Sequence, residues 1–348
     1  MPEDVRDLAA KLDAIAEGFI HAQILFTGVR SGVFQHLGEP RSASEVADAL
    51  GWDERGARML LDGLVGLEII AKEDGRYRNT ELSSRCLVPG GDAYQGHILE
   101  HRANGWEAWG RLIEAVASGG PVEDLGKPMP QQGREIGEPS TGKGEDEEDQ
   151  RLRAFILGMD DTGRHSARDM LKLVDVSACE HMLDIGGGPG SYSIAFLEAN
   201  PRMRATLIDR PKVIEIAREQ AAKEGLEDRF EFVAGDLLTD DFGRGYDLVL
   251  LSNIVHMLGP EDNEALVRRC ADAMESGGLL IIKDFIVDDA RTGPAANLFF
   301  ALHMLVHTQG GDTYTESEVM GWTRGAGLED AGMKSLTPRT KLWLAQKP

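Results

Sequence analysis

The second half of the chain alternates between short apolar runs and helical runs, and this alternation restricts the fold more than any other feature. Strands are predicted over 181–185, 204–209, 230–234, 247–251 and 279–282, with helices over 192–198 and 213–224. Strands that alternate with helices through short loops build a parallel, doubly wound sheet with helices on both faces. The sequence therefore predicts an α/β, Rossmann-like doubly wound domain.

The first part of the chain has a helical pattern instead. Apolar residues recur at helical spacing between Leu8 and Phe34, with interruptions predicted at Gly28 and Gly32. A capping box over 42–45 predicts a helix that ends near residue 50, and Asp53 predicts the cap of a second helix that ends near residue 67. A hairpin turn over 73–75 then closes the unit. This order predicts a mainly helical, winged-helix-like domain.

This first domain is predicted to form a homodimer. The segment from Leu8 to Phe34 is richer in apolar residues than a small domain can cover by itself. The predicted division of the chain is a dimerisation domain over 1–117, a flexible acidic linker over 118–150 and the α/β domain over 151–348. The linker is rich in Gly, Pro and charge, and such a segment buries too little apolar area to order itself.

Composition excludes several classes of partner. With 37 basic and 59 acidic residues, the formal net charge is −22, and so acidic a surface repels nucleic acid and anionic membranes. The helix that would read DNA also begins with acidic residues, Asp53 and Glu54, which favours an interaction module over a DNA-binding one. The cysteines Cys86, Cys179 and Cys270 lack Cys-x-x-Cys spacing, and no secretory signal is visible. The sequence therefore predicts a cytoplasmic protein.

A glycine turn follows the first predicted strand of the α/β domain. Asp184 precedes Gly186, Gly188 and Gly190, after which a helix begins. Glycines let a ligand approach the backbone, and the start of a helix offers unpaired N–H groups. Acids also follow the next two strands: Asp209 is placed to accept ribose hydroxyls and Asp236 to meet an adenine amino group. Together these residues predict a nucleoside-containing cofactor.

The identity of this cofactor follows from the spacing of the glycines and from Asp184. An NAD site needs Gly-x-Gly-x-x-Gly, whereas Ser191 stands here where the last glycine belongs. A carboxylate at residue 184 suits a cationic ligand better than a diphosphate. S-adenosylmethionine carries both an ammonium and a sulfonium, so it is the predicted cofactor.

With these motifs in place, nearly the whole chain resembles the class I S-adenosylmethionine-dependent O-methyltransferases. This family includes plant caffeate and acetylserotonin enzymes and bacterial natural-product enzymes. The resemblance covers residues 184–190 as the first cofactor motif, 208–211 as the ribose motif and 235–237 as the adenine motif. It implies that the cofactor is held by Asp184, Gly186, Gly188, Gly190, Asp209, Arg210, Asp236, Leu237 and Ser252.

The resemblance also implies the catalytic residues. His256 matches the family's general base and Asp284 the acid that orients it, a pair suited to removing a hydroxyl proton as the methyl group arrives. It further matches Phe155 and Met159 to positions that line the family's acceptor pocket, with ordinary helix packing as the alternative. Asn253, His303 and His307 are also predicted to contact the methyl acceptor. Two departures stand out, because Ser252 replaces a lysine of the plant enzymes and Thr313 replaces their second glutamate. These departures put methylation of phenols by the full plant apparatus in doubt.

Other functions remain open at this point. Methylation at sulfur, carbon or nitrogen, or another reaction by a cofactor-binding family member, fits the same motifs. A winged-helix regulator without catalysis is a different class, but the acids at 184, 209 and 236 argue against it. His303 and His307 have a spacing that could bind a metal, yet no third ligand accompanies them, so no metal is expected. The favoured hypothesis is methyl transfer to a hydroxyl of a small molecule.

Overall fold

The computed structural model describes residues 3–122 and 145–348, and the chain forms two compact units, Met1–Trp106 and Glu107–Pro348. The boundary predicted after residue 117 therefore falls inside the second unit. Residues 107–118 belong there because their helical segments pack within it: the Trp109 ring stacks against His303 at 6.2 Å. None of the helices in the described ranges combines the length and the apolarity that a bilayer span needs.

The first unit consists of five helices and a two-stranded hairpin within the described residues. Its elements are α1 (Glu3–Ser31), α2 (Ala43–Leu50), α3 (Glu54–Gly66), β1 (Ile70–Glu73), β2 (Arg76–Asn79), α4 (Glu81–Cys86) and α5 (Gly96–Asn104), with a short 3-10 turn at Val33–His36. The Ser42–Glu45 capping box and the Asp53 cap are both present. The antiparallel hairpin follows α3 as predicted.

Helix α1 is longer than the glycine pattern predicted. It continues through Gly28 and ends at Ser31, before Gly32, whose φ of 69° stops the helix. A side chain at position 28 would have its Cβ 3.0 Å from the Phe34 ring. Gly28 therefore allows a close approach of Phe34 rather than a break in the helix. This contact belongs to the core cluster of the first unit.

The second unit is a seven-stranded sheet with helices on both faces. Its strands are β3 (His181–Ile185), β4 (Arg204–Asp209), β5 (Phe230–Ala234), β6 (Tyr246–Ser252), β7 (Met274–Asp284), β8 (Glu329–Ser335) and β9 (Lys341–Gln346). Its helices are α6 (Trp106–Gly110, which begins at the unit boundary), α7 (Leu112–Ser118), α8 (Glu145–Leu171), α9 (Ser191–Ala199), α10 (Pro211–Lys223), α11 (Pro260–Ala273), α12 (Ala295–His307) and α13 (Glu316–Gly325).

The sheet has the strand order β5-β4-β3-β6-β7-β9-β8. The first five strands in this order are parallel, as predicted. Helices α9, α10 and α11 connect β3 to β4, β4 to β5 and β6 to β7, whereas β5 and β6 are joined by a loop. The sheet as a whole is mixed, since β9 lies antiparallel between β7 and β8. One apolar core packs on each face of the sheet, and the carboxyl ends of β3 to β7 meet at one edge. That edge carries the residues singled out in the sequence.

The predicted flexible linker over 118–150 is wrong at its end, because helix α8 begins at Glu145. Residues 123–144 lie outside the described residues, but residues 145–150 are the first turns of α8 and not a loop. Further along, Ile156 packs against Val213 and Ile216 of α10. This apolar contact fixes the helix, and an acidic run is compatible with its beginning because a helix N-terminus favours negative charge.

Candidate active site

The glycine turn after β3 opens helix α9 at the carboxyl edge of the sheet. Gly186, Gly188 and Gly190 all have positive φ, of 67°, 57° and 81°. A Cβ at the intervening Gly187 would lie 2.7 Å from Leu207 and 2.8 Å from the Asp184 carboxylate. The turn is therefore so close to the sheet that a side chain at Gly187 is excluded. The N–H groups of Gly186, Gly188 and Gly190 are hydrogen-bonded within the protein, so backbone donors for a ligand come from the first turn of α9.

Asp209 ties this turn to the end of β4. Its Oδ2 accepts a hydrogen bond from the Gly188 N–H at 2.9 Å, and its Oδ1 accepts one from the Arg210 N–H at 2.7 Å. Burial raises the pKa of Asp209, although these two backbone donors oppose the shift. Each carboxylate oxygen keeps a second lone pair, so the residue can also accept the hydroxyls of a ribose.

The next two predicted cofactor residues lie beside this turn in different environments. Asp236 is half-buried and accepts a hydrogen bond from the Leu238 N–H at 2.7 Å, which fixes its side chain at the end of β5. Leu237 is 2% exposed and belongs to the core, so only its backbone is left for a binding role. Arg210 caps α10, and its Nε is buried without a hydrogen-bond partner.

Asp184 lies beneath the glycine turn rather than in the open. It is 1% exposed, and its Oδ2 accepts a hydrogen bond from the Ser193 hydroxyl at 2.6 Å. Burial, and secondarily the negative charge of Asp209, raise the pKa of Asp184 to about 7. The carboxyl therefore supports the turn from below, and its contact with a cofactor ammonium remains a prediction.

The raised pKa of Asp184 predicts a pH-dependent effect of the Asp184→Asn substitution on stability. A carboxyl whose pKa is higher in the folded than in the unfolded chain destabilises the fold progressively as pH rises from about 4 to about 7. The variant's free energy of unfolding minus that of the wild type should therefore be about 2–3 kcal/mol larger at pH 8 than at pH 5. Urea denaturation at both pH values, without cofactor, measures this. An equal difference at the two values would contradict the burial argument.

His256 and Asp284 form a buried pair across the ends of β6 and β7. His256 lies in a 3-10 turn, Val255–Met257, and its Nδ1 is 2.7 Å from Asp284 Oδ1. Their side chains are 9% and 2% exposed. Burial alone would raise the pKa of Asp284, but His256 and the Phe285 N–H, which donates to Oδ1 at 2.8 Å, outweigh burial and lower it. The pair therefore holds an ionised carboxylate against one imidazole nitrogen.

The backbone of His256 is also fixed by contacts with the loop that follows α12. Its carbonyl accepts a hydrogen bond from the Asp312 N–H at 3.0 Å, and a Cβ at Gly311 would lie 2.4 Å from the same oxygen. Thr313, at the position of the plant enzymes' second glutamate, is fully buried and donates to the Asn297 carbonyl. Within the described residues, Asp284 is therefore the acid that orients the imidazole.

Aromatic rings extend from His256 along α12. The Phe300 ring lies 5.0 Å from His256 and 4.4 Å from Phe285, and His303 follows at 5.6 Å from Phe300. His307 lies 4.3 Å from His303. These rings and Trp109 are named the aromatic wall below. Sequence reasoning found the two histidines but missed Phe285, Phe300 and Trp109, although Phe300, His303 and His307 share one helix face by their spacing.

The remaining predicted acceptor residues lie in two places. Asn253, at the end of β6, has a left-handed backbone with φ 59°, and its Oδ1 accepts a hydrogen bond from Lys283. Phe155 packs against the Ile156 cluster beside α10, and Met159 is half-buried one turn further along α8. Contacts of Phe155 and Met159 with the aromatic wall therefore remain predictions. The described residues contain no cluster of three or more side chains suited to a metal ion.

The residues present fit S-adenosylmethionine. The carboxyl edge of the sheet carries a glycine-rich turn and a buried carboxylate, Asp209, at the predicted ribose position. It also carries two buried polar atoms without hydrogen-bond partners, Arg210 Nε and Ser252 Oγ. A buried imidazole and carboxylate pair follows on the neighbouring strands. Fold and site together define a methyltransferase of the Rossmann-like class that uses S-adenosylmethionine.

Comparison with known proteins identifies the family. Residues 124–329 match the profile of an O-methyltransferase domain and residues 14–89 that of an O-methyltransferase dimerisation domain. The chain is 32% identical over 324 residues to the 3-hydroxy-5-methyl-1-naphthoate 3-O-methyltransferase of Streptomyces sahachiroi, covering 92% of this chain and 89% of the relative. The chain therefore belongs to the O-methyltransferase family and is an enzyme that transfers methyl groups from S-adenosylmethionine to small molecules.

Two acetylserotonin enzymes extend the comparison. The chain is 30% identical over 319 residues to the acetylserotonin O-methyltransferase of Gallus gallus, covering 88% of this chain and 89% of the relative. Human N-acetylserotonin methyltransferase in complex with S-adenosylmethionine superimposes with a TM-score of 0.82 at 26% identity, covering 100% of this chain and 98% of that chain. The predicted fold, family and cofactor are thereby confirmed.

Proposed function

We propose that this enzyme methylates a hydroxyl group on a small planar aromatic acceptor, with His256 as the general base. The observation that carries the proposal is the His256–Asp284 pair at 2.7 Å, next to the aromatic wall. Flat rings stack on or pack edge-to-face against such a wall. The relative from Streptomyces sahachiroi is named for a hydroxylated naphthoate, which agrees with an aromatic acceptor.

The geometry supports a defined path for one proton. S-adenosylmethionine supplies a methyl group on a sulfonium, and the acceptor oxygen displaces S-adenosylhomocysteine in line. With Nδ1 facing Asp284, the other ring nitrogen of His256, Nε2, takes the hydroxyl proton as the oxygen–carbon bond forms. The Asp284 carboxylate stabilises the resulting imidazolium and fixes the ring. The products are a methyl ether, S-adenosylhomocysteine and a protonated His256 that releases its proton to water.

The direct test is a product screen. Purified enzyme, methyl-labelled S-adenosylmethionine and a panel of hydroxylated aromatic compounds are incubated together, and products are followed by mass shift. We expect label on an aromatic hydroxyl. Label found only on amines or thiols would contradict the oxygen acceptor, and label found only on non-aromatic alcohols would contradict the role given to the aromatic wall.

We also propose that the enzyme is a cytoplasmic homodimer with no nucleic acid or membrane partner. Helix α1 presents a stripe of apolar side chains to solvent: Leu8, Leu12, Ile15 and Phe19 are 57–69% exposed. Their spacing places them on one helix face, which is typical of a helix that packs against another. The net charge of −22 opposes binding to nucleic acid and to anionic lipid.

The stripe on α1 predicts how the dimer can be separated. The double variant Leu12→Glu/Ile15→Glu should be a monomer, because two carboxylates per copy would be buried against apolar surface without partners. Light scattering coupled to size exclusion measures the mass. The Lys11→Glu variant, changed at a neighbouring polar position of α1, should remain a dimer. A wild-type monomer, or an unchanged dimer in the double variant, would refute the interface.

A further inference from the structure

Lys283 is a buried cation at the catalytic edge of the sheet. Lys283 precedes Asp284 on β7 and is itself only 5% exposed. Its Nζ donates one hydrogen bond, to Asn253 Oδ1 at 2.7 Å, and forms no ion pair with a carboxylate of the described residues. An ammonium carries three N–H donors. Two of them are therefore left for another partner.

The surroundings of Lys283 hold the ammonium in place. The Asn253 N–H donates to the Lys283 carbonyl at 2.8 Å, so the two residues are joined through both backbone and side chains. The Tyr192 ring at the start of α9 lies 5.7 Å from Nζ, and its hydroxyl is bound to Ser166. This arrangement fixes the cation between the glycine turn and the catalytic pair.

Ser252 adds a second donor at the same place. It lies directly opposite Lys283 in the pairing of β6 with β7, so both side chains project from one face of the sheet. Ser252 Oγ is buried and has no hydrogen-bond partner. A buried hydroxyl without a partner costs free energy unless a ligand satisfies it. Ser252, Asn253 and Lys283 are named the donor cluster below.

The charge of the donor cluster determines which ligand it suits. Asp284 interacts electrostatically with Lys283, but its carboxylate is bonded to His256 and does not contact the ammonium. A buried ammonium whose one hydrogen-bond acceptor is a neutral amide oxygen is unfavourable, because it has lost the solvation that water gives a charge. A carboxylate would neutralise the single positive charge, and its two oxygens could take hydrogen bonds from Lys283 and Ser252 together. A dianionic phosphate would leave one negative charge in a region that already contains Asp184, Asp209 and Asp284.

From these contacts we infer that the donor cluster binds a carboxylate group inside the active site. This inference deepens the proposed function and rests on it. Two molecules of the reaction can supply the group: the amino-acid end of the cofactor, or an aromatic acceptor that carries a carboxylate besides its hydroxyl. In both cases Lys283 positions a bound molecule and takes no part in proton transfer.

The test compares wild type with Lys283→Met by calorimetric titration. The first pair of ligands is S-adenosylhomocysteine and 5′-methylthioadenosine, which share the nucleoside, while the second lacks the carboxylate. The second pair is 3-hydroxy-2-naphthoate and 2-naphthol, titrated in the presence of S-adenosylhomocysteine. Methionine is close to lysine in volume and adds no buried charge, so the variant should remain folded. A thermal melt checks this, and Lys223→Met at an exposed position controls for net charge.

We expect Lys283→Met to lose roughly ten- to a hundredfold in affinity for the carboxylate-bearing member of one pair only. Selective loss for S-adenosylhomocysteine assigns the cluster to the cofactor, and selective loss for the naphthoate assigns it to the acceptor. Ser252→Ala should give a smaller loss for the same ligand. Equal affinities of variant and wild type for both carboxylate ligands would overturn the inference. Failure of wild type to bind either nucleoside would instead refute the proposed function, and the inference with it.

Discussion

Replacing His256 with alanine should lower kcat by about 10²–10⁴-fold while the affinity for S-adenosylhomocysteine hardly changes. In the proposed mechanism the hydroxyl proton leaves as the methyl group arrives, and the imidazole bonded to Asp284 accepts it. Asp284→Asn should act in the same direction but more weakly, because the ring remains while the charge that stabilises the imidazolium is lost. Steady-state kinetics on the acceptor found in the screen, with calorimetry for the cofactor product, separates chemistry from binding.

Two comparisons make this prediction specific to the base. His303→Phe changes a histidine of the same aromatic wall that lacks the Asp284 contact, so it should alter KM more than kcat. The deficit of His256→Ala should also shrink as pH approaches the acceptor's own pKa, because an ionised hydroxyl needs no base. An undiminished kcat at every pH would show that proximity and orientation alone carry the reaction. His256 would then be a residue that lines the pocket.

Replacing Asp209 with alanine should weaken binding of S-adenosylhomocysteine by about 1.5–3 kcal/mol, roughly a ten- to a hundredfold loss of affinity. The carboxylate is placed to accept the ribose hydroxyls, and it also holds the Gly188 N–H at the glycine turn. The substitution therefore removes direct hydrogen bonds to the ligand and loosens the turn. Calorimetric titration measures the loss.

Asp247 provides a matched control for Asp209. Its carboxylate likewise accepts two backbone N–H groups, those of Glu180 at 2.6 Å and His181 at 3.0 Å, but it lies at the amino end of β6. Asp247→Ala should reduce stability without reducing cofactor affinity. If both variants lost affinity equally, the effect of Asp209→Ala would reflect general loosening of the sheet and would speak against a ribose contact.

Local sequence signals predicted most of the elements because their causes are local. The capping box at Ser42 and the cap at Asp53 fix helix starts through hydrogen bonds within one turn. Buried apolar runs and the glycine turn likewise mark β3 and the start of α9 from adjacent residues alone. The parallel part of the sheet followed from this alternation, and the motif spacing gave the acids at the strand ends.

Features that depend on distant parts of the chain could not be predicted in this way. Strand β9 inserts antiparallel beside β7 through contacts between residues far apart in sequence, so no local pattern reveals its place. Leu237 is predicted to contact the cofactor, and the burial of its side chain in the core, which leaves only its backbone for that contact, could not be read from the motif. The neighbourhood of Lys283 was missed for the same reason, since its partner Asn253 comes from another strand.

The insertion of β9 has a consequence for the order in which this enzyme becomes functional during synthesis. Asp284 ends β7 and lies opposite Lys341, the first residue of β9, which is translated after all the other elements of the sheet. The strand that carries the carboxylate paired with His256 therefore lacks one neighbour until β9 has been made, and closing such a non-local pair is slow. A nascent chain can assemble β3, β4 and β5 with their connecting helices well before the part of the sheet that holds the His256–Asp284 pair is rigid. Competence to bind the methyl donor should accordingly precede competence to use it.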